Sequence, residues 1–196
     1  MKRMELKITH PMDFGVTMER AEAAMAKLNA LLNDPERESG MIIHGGRDLS
    51  DDEMTPLVLN ETLFKIHDRW YYVADPDLPS AYREPDAWHA VYWDFVREYF
   101  NDRYGDNWCL DPVQLCHRPG EYDVPPRLLK IRSKGADGKG ARVRDISLPW
   151  CNEIIILEDK LPEGIQCEPC HGLRVTPEYL EALKTSQEGD ETPGLP

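Results

Sequence analysis

No apolar run in these 196 residues approaches the ~20 that a membrane-crossing helix needs. The opening MKRMELKITHPMDF carries basic residues but no apolar stretch behind them, so it does not read as a secretory signal. Cysteine is sparse, at five residues, odd in number and without a disulfide rhythm. That usage points to a reducing, cytoplasmic setting with free thiols or a metal site rather than a bridge framework. Basic charge is the scarcer sign, with 23 Lys and Arg against 36 Asp and Glu, a net of −13. Such a chain is no general coat for nucleic acid or an anionic membrane unless its cations are segregated. Neither GxxxxGK[ST] nor GxGxxG after a strand occurs, and no internal repeat is visible.

What is present is a mixture of helical and strand periods, and the expected class is α+β. Ala21, Ala24, Met25, Leu28, Leu31 and Leu32 form the stripe of a half-buried helix over 16–33, with Thr17 as its N-cap. Ser50 and Glu53 have the spacing of a capping box, so a short helix follows, interrupted near Pro56. LFKI and WYYV read as a hairpin turning at His67-Asp68-Arg69. This order predicts a winged-helix-like subdomain over 1–75. Residues 74–86 hold three prolines and read as the connection to a second subdomain, 86–184. There a long helix from Asp86 to Arg103 carries Trp88, Tyr92, Phe95 and Tyr99 on one stripe, and Gly105 ends it. A short helix is expected from Asp111-Pro112 to His117. Strands are expected over 128–133, 141–148 and 153–158, and a last short helix over 176–184. The tail 185–196 has too little apolar surface to order itself.

Two constellations could carry chemistry. Residues 127–145 hold a local net of +5. If 128–133 and 141–148 pair as an antiparallel hairpin with Leu129, Ile131 and Val143 inward, then Lys130, Arg132, Arg142 and Arg144 point outward together. With Arg127 they would form a surface for phosphates or for an acidic partner. The alternative is a solvated face, or one paired with the chain's own carboxylates. The second constellation is Cys167-Glu168-Pro169-Cys170-His171. Two thiolates at this spacing are half a zinc site, which Cys116-His117 or Cys109 could complete. Without that completion these are unligated thiols and no cofactor is expected. A pairing of Cys109, Cys116 or Cys151 with a histidine has no local signature.

LFKIHDRWYYVADP, AWHAVYWDFVREYFNDRYGDNWCLDPVQL and VPPRLLKIRS, in that order over about 48–150, resemble the N-terminal, non-catalytic region of a group of bacterial Fic-family proteins. The plan is also similar to AbiEi-type antitoxins. The likeness is carried by Trp70, Tyr71, Trp93, Tyr99, Trp108, Leu110, Pro112, Val124, Pro125 and Leu128, mostly scaffold positions. The adenylyl-transfer string HPFxxGNGR is missing. The resemblance therefore implies no nucleotide transfer. It implies a non-enzymatic regulatory or antitoxin-type module of a bacterial defence system, binding a protein or a nucleic acid and no membrane. The alternative from the residues is a zinc- or thiol-dependent enzyme using Cys116, His117, Cys167, Cys170 and His171.

Overall fold

The computed structural model describes residues 16–37, 40–74, 80–111, 125–134, 142–158, 161–168 and 172–181. The expected helix at 111–117 and the tail 185–196 lie outside the described residues. The chain is mixed α and β, with several small sheets, and divides after Glu98 into two compact units.

The first unit begins with α1, Met18–Leu32, capped by Thr17 Oγ1 accepting from the Arg20 amide. It buries the Ala21, Ala24, Met25 and Leu28 stripe. Strand β1, Ile42–His44, leads into α2, Asp51–Leu59, and then the strands β2, Leu63–His67, and β3, Trp70–Val73. The sheet order is β1-β3-β2, antiparallel throughout. In this register Ile43, Leu63 and Val73 share one face and pack with Met25, Leu28, Met54 and Leu57 of the two helices. Trp70 and Tyr72 lie on the other face, where Tyr72 meets Trp88 and Trp70 meets Phe95 at centroid distances of 5.8 and 6.2 Å. Both aromatics belong to α3, Ser80–Tyr104. Cover on both faces explains why WYYV is apolar along its whole length rather than alternating. The β2–β3 turn lacks glycine because Asp68 takes the left-handed conformation, φ 48°, which short polar side chains tolerate.

Two expectations are corrected here. The helix at 51–59 is not interrupted at Pro56. Pro56 has no amide to donate to the Asp52 carbonyl, four residues back. Arg20 fills that vacancy: its Nη2 donates to Asp52 O at 2.9 Å and to Asp52 Oδ1 at 2.6 Å. The Ser50–Glu53 capping box forms as expected. The proline-rich stretch 74–86 is not all loop, since α3 already starts at Ser80 and includes Pro85. One proline near a helix start costs one amide, against 25 residues of helix whose later turns are deeply buried.

In the second unit the last turns of α3 bring Phe100 to 5.3 Å from Trp108, whose indole N–H donates to Asn101 Oδ1 at 3.0 Å. Strands β4, Trp108–Leu110, β5, Leu128–Ser133, β6, Arg142–Ser147, and β7, Glu153–Glu158, form one sheet in the order β4-β5-β7-β6. A two-stranded ladder joins β8, Gln166–Cys167, to β9, Arg174–Val175. A final helical stretch at 177–181 starts from buried Thr176. No helix among the described residues is long and apolar enough to cross a membrane.

The expected basic hairpin does not form. β5 pairs with β7 in parallel, and β6 pairs with the far side of β7. The run Ile154-Ile155-Ile156-Leu157 is the most apolar of the three strands and takes the central place, with a neighbour on each side.

Candidate functional site

The register divides the four candidate cations that lie on strands. Residues opposite one another in a ladder share a face. Lys130 lies opposite Ile155 and Arg132 opposite Leu157. Arg142 lies opposite Glu158 and Arg144 opposite Ile156. Along β7 those partners alternate, so Lys130 and Arg132 belong to one face of the sheet and Arg142 and Arg144 to the other. Buried Ile146 of β6 shares its face with Arg144, whereas the sequence reading set the β6 arginines opposite the apolar face.

Two ion pairs with buried carboxylates are formed by cations of this set. Arg132 Nε meets Asp111 Oδ2 at 3.0 Å, and the Asp111 side chain is 3% exposed. Arg144 Nε meets Glu158 Oε1 at 2.9 Å, with Glu158 6% exposed. Both carboxylates are taken out of water by folding and both guanidinium groups offset that loss. Arg127 is exposed, at the lip of β5. Lys130 and Arg132 therefore share no sheet face with Arg144, and the hairpin on which the five were expected to gather is not formed.

Of the proposed metal ligands, Cys116, His117, Cys170 and His171 lie outside the described residues. Cys167 is exposed and free. Cys109, the other possible completion, is a buried free thiol. Burial pushes it up to about 11, with Arg132 pulling the other way and Asp111 adding to the rise. A thiol held that high is protonated at neutral pH and is a poor nucleophile or ligand. Among the described residues no three His, Cys, Asp or Glu side chains gather as a metal would need.

A groove of about 360 Å³ lies in the first unit between α2 and β3. Met54, Val58, Leu59 and Tyr71 supply its apolar lining, and Asp51 and Arg69 its polar lining. Val58 and Leu59 are 40% and 42% exposed. The groove follows from the sequence in a simple way. Pro56-Leu57-Val58-Leu59 places four apolar residues on one helical turn, but a helix turns only part of its circumference to a core. Pro56 and Leu57 go inside, leaving two aliphatic side chains outside. That surplus was the signal a sequence reading could have used.

The polar lining is held by backbone. Arg69 Nη2 donates to Asp51 Oδ1. Its guanidinium rests on Gly46, where an added Cβ would come within 3.0 Å of Cζ and Nη2 and where φ is +89°. The Gly45 amide donates to the Arg69 carbonyl at 2.8 Å. The Gly46 loop is fixed in turn by Asp48, which accepts from the His44 amide at 2.8 Å and pairs with Arg37 and Arg47, each at 3.1 Å. Burial drives the Asp48 carboxyl up, but the His44 amide and the two guanidinium groups outweigh it and bring it below the usual range.

All three acids of the first turn of α2 are partnered from other elements: Asp51 by Arg69, Asp52 by Arg20 and Glu53 by Lys27. The Lys27 ammonium, then the Ser50 amide, hold Glu53 at about 2. Each acid is thus matched by one cation already engaged with it, so this end of α2 offers phosphates no surplus of positive charge.

No family model, no curated protein and no solved structure matches this chain.

Proposed function

We propose that this chain is a non-enzymatic regulatory module, of the antitoxin type it resembles, that acts by docking a protein partner on its first unit. The observation that carries this reading is the groove beside α2, where two consecutive aliphatic side chains are exposed next to the Asp51–Arg69 ion pair. Grooves with apolar walls and a few placed polar groups suit the side chains of a docked segment. The order helix, strand, helix, hairpin, with sheet order β1-β3-β2, supports a winged-helix-like reading of this unit. The acids at the start of α2 and the net charge of −13 favour protein over nucleic acid as the partner.

A photo-crosslinking residue placed at Val58, in cells that express the chain, tests this. The expected outcome is a discrete protein adduct that disappears when Leu59→Glu is added, with circular dichroism unchanged because Leu59 is an exposed position. Adducts insensitive to Leu59→Glu, or adducts to nucleic acid, would contradict the reading.

A further inference from the structure

We infer that the groove beside α2 accepts a basic, amphipathic segment of a partner protein. An aliphatic side chain of that segment sits between Val58, Leu59 and Tyr71, and a Lys or Arg side chain reaches Asp51. The inference rests on the docking reading above and specifies the chemistry of what docks.

Three observations select this occupant. The walls are aliphatic and aromatic, so an apolar side chain is what they take from water. The carboxylate at the groove is accessible: the Asp51 side chain is 83% exposed although one oxygen accepts from Arg69. The guanidinium beside it is the less accessible of the two charges: it lies over Gly46, donates to Asp51 and is 48% exposed. Exposed Asp68, next to Arg69 in the β2–β3 turn, adds a further negative charge at this end of the unit. Over the whole chain the excess of 36 acids to 23 bases sets the same sign. A cationic segment is drawn in by that field and an anionic one is repelled.

The test is selection from a random-peptide display library on the immobilised full chain, with the Leu59→Glu variant as the counter-selection target. The expected result is enrichment of peptides with aliphatic residues flanked by Lys or Arg. Their affinity should fall about tenfold or more on Leu59→Glu, the scale of one lost buried aliphatic contact. It should fall again on Asp51→Asn and as salt is raised. Enriched peptides that are acidic, yet still lost on Leu59→Glu, would overturn the basic-segment inference and leave the docking reading standing. Peptides indifferent to Leu59→Glu, or no enrichment at all, would overturn both.

Discussion

Asp48→Ala should lower the unfolding free energy of the first unit by about 3 kcal/mol, the scale for removing one partner of a buried ion pair. Asp48 is 9% exposed and Arg37 10% exposed, so the guanidinium left behind is largely cut off from water. The substitution also orphans the His44 amide and loosens the loop on which Arg69 rests. Because native domains have only about 5–15 kcal/mol in hand, urea unfolding reads this as a large shift of midpoint. An unchanged midpoint would contradict the role given to Asp48. The same residue fixes the sign of a pH effect. Its folded-state carboxyl lies below the usual range. The stabilisation it gives is therefore complete above the unfolded-state value, near 3.9, and is lost as pH falls through the folded-state value. Part of the acid-side fall in stability should vanish in Asp48→Asn. Glu53, held at about 2, retains its own share of that fall.

The second large effect concerns Arg132. On a docking surface, Arg132→Glu would abolish binding and spare the fold. With its guanidinium against a 3% exposed carboxylate, the reversal sets two negative charges together in a place poor in water. The expected loss of stability is about 3 kcal/mol or more. Arg127→Glu, at an exposed position of the same strand, should change stability by no more than about 0.5 kcal/mol. Equal, small effects of the two reversals in thermal or urea unfolding would restore the view of Arg132 as a free surface cation.

Local pattern made much of this fold legible. The 3.6-residue stripe of α1, the Thr17 and Ser50 caps, the hairpin at 63–73 and the strands at 128–133 and 153–158 are all readable from neighbours in sequence. Strand order is not, because it is decided by which strand most needs cover on both sides. In 142–147 the two apolar residues, Val143 and Ile146, fall on opposite faces, so alternation could not say which face is inward. The short strands β1 and β4 were missed for a related reason: three residues show no period, and their pairing with β3 and β5 makes them strands. At the candidate site, the acids of α2 were visible in the sequence. Their partners Arg20, Lys27 and Arg69 come from other elements, which no spacing rule brings together.

The proposal that the chain spends cations on its own carboxylates and docks a protein rather than a nucleic acid has one direct measurement: titration of a labelled mixed-sequence DNA duplex with the full chain at low salt, followed by anisotropy. The expected result is no saturable rise. A saturable rise that steepens as salt falls, and that Arg127→Glu removes, would contradict it, since counterion release of that kind requires a cationic face open to phosphates.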